Sequence, residues 1–242
     1  MKLCVPSYKR PRNILTKKIY KNLKVYVCES EYEEYKKHNE DIEIIAMPKG
    51  VQGNISRVRN YILDNEFKEK DRCVIIDDDF SGVYYHENEK KYFMSEEKLS
   101  WFIENAFEMS RALGVKMWGI NLLSGNMEYR IYSPLSMKSP VLAPFTAHFK
   151  NDLRYDERIP LKEDYDFFIQ HMNEFKKVLR FNKFFYLCKQ SNMVGGCASM
   201  RNREEEERQL VLLEKKWGKG IIKRDMKKHD YNPVIKIPIK GI

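Results

Sequence analysis

Arg72-Cys73-Val74-Ile75-Ile76-Asp77-Asp78-Asp79-Phe80 decides how the rest of this chain is laid out. Residues 73–76 are small or branched and apolar, which suits a strand packed on both faces, because β-branched side chains fit a pleated surface. Three carboxylates follow at once. Alternation along the strand and its exit puts Asp77 and Asp79 on one side and Asp78 on the other. Oxygen-bearing side chains with no Cys or His beside them suit a hard divalent cation, Mg²⁺ or Mn²⁺, with positions left open for a phosphate. The plain alternative is a solvated acidic turn that caps the strand. Its place behind a hydrophobic strand, in an alternating pattern of elements, favours the cation.

Before this stretch the chain alternates strands and helices. Residues 2–5 form a short apolar strand ended by Pro6, and residues 12–21 read as a short helix. Residues 23–28 alternate as a second strand that ends at Glu29, and residues 31–38 look helical. A third strand spans 42–47 and is closed by Pro48 and Gly50; a helix over 57–65 follows. Strands separated by helix-length segments predict β-α-β units and a largely parallel sheet, whose ligands bind at the carboxyl ends of the strands. That rule gathers Pro6, Ser7, Glu29, residues 50–60 and Asp77 to Asp79 at one edge.

After it the pattern loosens. Residues 83–93 read as a hairpin or loop, and Ser95 caps a helix that runs to Leu113. A strand spans 116–122 and a turn falls at Gly125-Asn126. Residues 131–149 hold Pro134, Pro140 and Pro144, so they read as edge strands or extended loop. A helix opens with Glu163, Asp164 and Asp166, a strand spans 184–188, and Gly195-Gly196 marks a loop. Asn202 begins a helix with acids at its positive end and Leu210, Leu213 and Trp217 on one face, stopped by Gly218 and Gly220. The tail to Ile242 looks extended. The expected organisation is a domain over 1–200 and a C-terminal helix with a basic tail, 201–242, packed on it.

Composition supports one domain. The 242 residues are 43% hydrophobic and 13% aromatic, enough to bury a full core. No run nears the roughly 18 apolar residues of a membrane span, and Met1 to Pro6 is too short for a signal peptide. A cytoplasmic protein with no membrane partner is therefore expected. Cys4, Cys28, Cys73, Cys188 and Cys197 are odd in number, lack a C-x-x-C pair and sit in apolar surroundings, which points to reduced thiols. Net charge is +9 and the excess gathers at the ends, with eight cations and no acid in residues 1–24 and a basic run from Lys215 to Lys228. Such ends suit a polyanion, nucleic acid first, or else a lysine-rich solubilising surface.

In combination these pieces resemble a GT-A glycosyltransferase. The cues are the first strand ending Pro6-Ser7-Tyr8-Lys9-Arg10, the acid Glu29, an Arg-x-x-Asn element from Arg57 to Asn60, the acidic strand end, and Glu163-Asp164-Tyr165-Asp166. In more detail the chain is similar to the TET-associated glycosyltransferases of phages and their relatives, which include the base-J glucosyltransferases of kinetoplastids. The resemblance implies a Rossmann-like, mainly parallel sheet flanked by helices, and a metal-dependent transfer of a sugar, glucose first, from a UDP-sugar to a hydroxymethylated pyrimidine in DNA. The host cytoplasm would be the location of a phage-encoded member. It assigns Asp79 to the metal and Asp77 to metal or ribose. Ser7 and Glu29 would meet the uridine, with Pro6 and Asn60 shaping the donor site. Asp164 would be the base, chosen over Glu163 and Asp166.

Chemistry makes the same demands. A departing diphosphate gains negative charge, which a divalent cation and guanidinium forks such as Arg10 and Arg57 offset. An acceptor hydroxyl needs a base, and a carboxylate at a helix start can serve; these acids would also favour the helix N-terminus electrostatically. A third ligand is often a late His in this fold; His148 and His229 are the candidates, and a solvated surface histidine is the plainer reading of each. A base inside a duplex must be flipped out or presented single-stranded, with Lys and Arg gripping phosphates. Competing readings are a transferase acting on a protein or saccharide, a nucleotidyltransferase, and a basic DNA-binding module with a degenerate acidic turn.

Overall fold

Residues 72–76 form β4, buried on both sides as their composition demands: Val74 and Ile76 face one core cluster, Cys73 and Ile75 the other. The computed structural model describes residues 1–122, 129–188, 202–224 and 232–239. Around β4 lie β1 (Leu3–Pro6), β2 (Leu23–Cys28) and β3 (Glu43–Met47), all parallel, in the order β3-β2-β1-β4. The sheet continues through β9 (Phe145–Phe149), β7 (Met117–Asn121), β10 (Leu179–Cys188), β5 (Phe80–Glu87) and β6 (Lys90–Phe93). A two-residue strand β8 (Leu135–Ser136) pairs with β10 off this path, and a small ribbon joins β11 (Ile222–Lys223) to β12 (Val234–Ile235).

Five α-helices among the described residues cover the sheet in a single α/β domain. Helices α1 (Tyr32–His38) and α3 (Glu96–Ala112) pack on one face through Tyr35, Phe102 and Phe107. Helices α2 (Ile55–Glu66), α4 (Glu163–Phe175) and α5 (Arg203–Trp217) cover the other through Ile62, Phe167 and Leu213. Side chains of Asn54, Ser95 and Asn202 cap α2, α3 and α5 by accepting backbone N–H bonds, the expected Ser95 cap among them. No helix among the described residues is long and apolar enough to cross a membrane. Cys4, Cys28, Cys73 and Cys188 are free thiols; Cys197 lies outside the described residues, as do the turns expected at Gly125-Asn126 and Gly195-Gly196.

Two expectations need correction. Residues 12–21 are not an α-helix: only Leu15–Lys18 form a 3₁₀ turn. Their backbone is committed elsewhere, since the amides of Leu15 and Thr16 both donate to the Asp78 carbonyl. Residues 131–149 are more than edge strand and loop. Their prolines fall before Phe145, and the proline-free stretch forms β9, a central strand antiparallel to both β4 and β7.

Candidate active site

β4 ends at Ile76, and the acids that leave it are sorted by their partners. Asp78 turns inward and is 3% exposed, accepting bonds from Ser7 Oγ and Arg10 Nη1, each at 2.5 Å. Tyr35 completes this knot: its hydroxyl lies 2.8 Å from Ser7 Oγ and accepts from the Arg10 backbone N–H. Burial pushes the Asp78 carboxyl up, against the pull of Arg10. Thr16 braces the turn by donating to the Asp77 carbonyl at 2.6 Å. Ser7 and Arg10, expected to meet the donor, therefore also anchor the turn to the β1 loop.

Asp79 is different. It is 7% exposed, and its buried Oδ1 has no hydrogen-bond partner. Burial first, then the charges of Asp77 and Asp78, push its carboxyl up to about 6. A buried carboxylate oxygen without a donor carries a desolvation cost that a cation would offset. Asp77, two residues before it and close enough for its charge to act on Asp79, keeps its side chain partly open to solvent. Among the described residues no cluster of three or more His, Cys, Asp or Glu is arranged to hold a metal. Among the described residues the candidate is this carboxylate pair, which fits Mg²⁺ or Mn²⁺, ions that take one or two carboxylates and leave the remaining positions to phosphates and water.

Of the third-ligand candidates, His148 does not join them. His148 is not a surface residue: it is fully buried in β9, opposite Cys73, three residues of strand (roughly 10 Å) from the strand end. His229 lies outside the described residues.

Arg59 links the two halves of the site. It is 3% exposed on α2, donating from Nη2 to Asp77 Oδ1 at 3.1 Å and from Nη1 to Glu163 Oε1 at 2.6 Å. Burial alone would depress its pKa, yet Asp77 and Glu163 hold it above the ordinary arginine value. The Tyr155 ring sits 5.7 Å from its guanidinium carbon, and Asn60 fixes Tyr155 through both backbone groups at 2.9 and 2.7 Å. Arg57, singled out from the sequence for a phosphate, instead points outward to Glu157 and the Gly50 carbonyl. The signal for Arg59 was present: positions 59, 62, 63 and 66 lie on the buried stripe of α2, where a charge demands a partner.

The three acids at the start of α4 also divide. Asp166 is fully buried and held by Trp217 Nε1 at 2.7 Å, Gln170 Nε2 at 2.7 Å and Lys216 Nζ at 2.8 Å. Glu163 is buried against Arg59, and burial pushes its carboxyl up. Asp164 stays partly exposed, accepts the Tyr165 amide at 2.8 Å, and has its carboxyl raised by burial against the pull of Arg59. Pro6 ends β1 in the core and Glu29 stands exposed at the end of β2, on the same carboxyl edge. A separate cleft of about 400 Å³ opens beside the second half of α4, between Arg154, Gln170 and Trp217, and none of the strand-end acids lines it.

A mixed α/β sheet with carboxylates at the carboxyl end of a central strand, facing an acid-bearing helix, places a candidate ligand site where sheets of the α/β class hold theirs. The profile of the family described as TET-Associated Glycosyltransferase matches residues 1–196. The chain belongs to that family, and it is a glycosyltransferase. None of the curated proteins matches it. Among solved structures it is similar to A197 from STIV, at 15% identity over 78% of this chain and 85% of that one, TM-score 0.43. It is also similar to a CMP:2-keto-3-deoxy-manno-octonic acid synthetase complexed with CTP, at 9% identity over 88% and 98%, TM-score 0.43. A cytidylyltransferase from Leptospira borgpetersenii serovar Hardjo-bovis (strain JB197) aligns at 11% identity over 89% and 93%, TM-score 0.40.

Proposed function

We propose that the protein transfers a sugar, glucose first, from a UDP-sugar to a hydroxymethylated pyrimidine in DNA, with Mn²⁺ or Mg²⁺ held by Asp79 and Asp77. The observation that carries this reading is the buried, donorless Oδ1 of Asp79 beside Asp77, joined through Arg59 to the acids of α4. When bound there, a divalent cation supplies Lewis-acid stabilisation of the leaving diphosphate. The chain's own residues do the rest. Arg59 holds Asp77 and the start of α4 at a fixed separation, so donor and acceptor meet in one geometry. Asp164, raised but partly exposed, accepts the proton of the acceptor hydroxyl as its oxygen bonds to the anomeric carbon. The bond from that carbon to the diphosphate breaks, and the leaving group departs with the electron pair. Pro6, Ser7 and Glu29, at the ends of β1 and β2, are the residues proposed to meet the uridine.

Mass spectrometry of hydroxymethylated DNA incubated with the protein, Mn²⁺ and a panel of UDP-sugars tests this. The expected product is DNA carrying one added hexosyl unit per modified base. Unchanged DNA, alongside glycosylation of a saccharide or protein acceptor in the same extract, would replace this reading.

A further inference from the structure

The face of β5 that leaves the acidic turn is built as a stacking surface. Val83 and Tyr85 turn toward the α3 side, so Gly82, Tyr84 and His86 face the side that carries α4 and its acids. On that face Tyr84 is paired with Phe185 of β10 and with Phe93 of β6. The Tyr84 and Phe185 rings are nearly parallel, 13° apart with centroids at 5.5 Å, and Phe93 closes on Tyr84 edge-on at 5.5 Å. Next to them His86 lies parallel to Tyr129, 18° apart at 5.1 Å.

Phe185 and His86 are buried and back this face, Tyr84 is half-buried, and two features open its outer part. A Cβ on Gly82 would come within 2.5 Å of the Tyr84 ring, so the missing side chain lets that ring lie flat along the strand toward the acidic turn. Phe93 is 52% exposed on β6, the outermost strand of the sheet. The charge on this face is positive: Lys91, opposite His86, holds its ammonium 5.7 Å from the Phe185 centroid. The nearby acid Glu87 belongs to the other face, where it pairs with Lys183.

Taking the proposed DNA acceptor as the premise, we infer that this β5–β6 face is where the unpaired strand flanking the target nucleotide docks, its bases stacking on Tyr84 and Phe93 and a phosphate meeting Lys91. Exposed ring faces with interleaved cations bind single-stranded nucleic acid without sequence preference. From Phe80 to Tyr84 the strand covers roughly 13 Å, so a base presented to Asp164 leaves its neighbours a few nucleotides along this face. A net charge of +9 agrees with a polyanionic partner.

The test is fluorescence anisotropy with a labelled single-stranded oligodeoxynucleotide of about 16 nucleotides, run beside UDP binding in Mn²⁺. Tyr84→Leu and Phe93→Leu should each weaken the oligonucleotide by about 5- to 150-fold, and Tyr84→Phe should not. Gly82→Ala, which lifts the Tyr84 ring, should weaken it in the same direction. Lys91→Ala should reduce the slope of log affinity against log salt by about 0.7, and the leucine variants should leave that slope unchanged. UDP affinity should be that of the wild type throughout, which also reports that the variants are folded. Wild-type oligonucleotide affinity in both leucine variants would overturn the docking surface and leave the transferase reading intact. So would a dimer in sedimentation that Phe93→Lys splits, since the face would then belong to a second copy. Normal oligonucleotide binding by this face without hexosyl transfer to DNA would uphold the surface and sink the acceptor chemistry instead.

Discussion

Arg59 spans the gap between β4 and α4 with a single guanidinium, so its removal strands Asp77 and Glu163 at once. Breaking a buried pair by deleting one partner costs about 3–5 kcal/mol. Arg59→Ala should therefore lower the unfolding free energy by that much, read by denaturant titration, and abolish turnover. Arg57→Ala, on an exposed pair with Glu157, should shift stability by less than about 1 kcal/mol. Equal effects at the two positions would refute the assignment. Asp79 gives a pH signature whose sign follows from its position. Its folded value of about 6 lies above that of an unfolded aspartate, about 3.9. The stability it contributes is full below the unfolded value and is lost as pH rises through the folded one. Asp79→Asn keeps the shape without the charge, so it should be more stable than the wild type above pH 6, by about 3 kcal/mol, and no more stable below pH 4. Thermal melts across that range read the difference. Adding Mn²⁺ at pH 7 should raise the wild-type midpoint and leave the variant unmoved. The carboxylates of this site were legible in the sequence because they cluster after a strand. Arg59 was not picked out, because Arg57 two residues earlier matched a motif and only the helical stripe separates the inward from the outward arginine.

Helix α5 reaches back to the start of α4 through three buried contacts. Gln209 accepts the Leu161 amide at 2.6 Å, Glu206 pairs with the 1%-exposed Lys162, and Trp217 donates to Asp166. The helix lies beyond the residues that the family profile matches, yet it fixes the segment from which Asp164 projects. Glu206→Ala should leave the Lys162 ammonium buried without its carboxylate and destabilise the protein by about 3–5 kcal/mol. Trp217→Phe, which deletes only the indole donor to Asp166, should cost about 1–3 kcal/mol and lower kcat more than it raises the donor KM. A Trp217→Phe enzyme with unchanged kcat would show that α5 supports the fold and not the base. Periodicity made α2, α3, α4 and α5 readable, and continuous branched residues did the same for β4. It failed where tertiary hydrogen bonds override local preference. The 3₁₀ turn at Leu15–Lys18 gives its amides to the Asp78 carbonyl, and β9 is recruited to the sheet centre by two neighbours that are distant in sequence.

At the scale of the whole molecule, the sequence shows basic ends and the fold shows where that charge goes. Lys2, Arg10, Lys17 and Lys24 are each paired with an acid from another element, namely Glu43, Asp78, Asp41 and Glu66. Arg224 is forked between Glu207 and Glu214, and Lys216 between Asp156 and Asp166. A window of residues 1–24 without acids could not reveal these partners, because every one of them is brought in by the fold. On the proposed reading, the phosphate grip on DNA then comes from fewer cations than the runs contain. With about four to six phosphates contacted, affinity for duplex should fall by roughly 10²- to 10³-fold between 50 and 200 mM salt, with a slope well short of one cation per basic residue. Arg224→Ala should leave that slope unchanged, since its donors already serve two carboxylates, and should cost stability alone. Anisotropy of a labelled duplex at four salt concentrations measures both. An affinity indifferent to salt would remove the polyanion from the interpretation, and a slope that falls with Arg224→Ala would mean that the C-terminal pairs open to meet the phosphates.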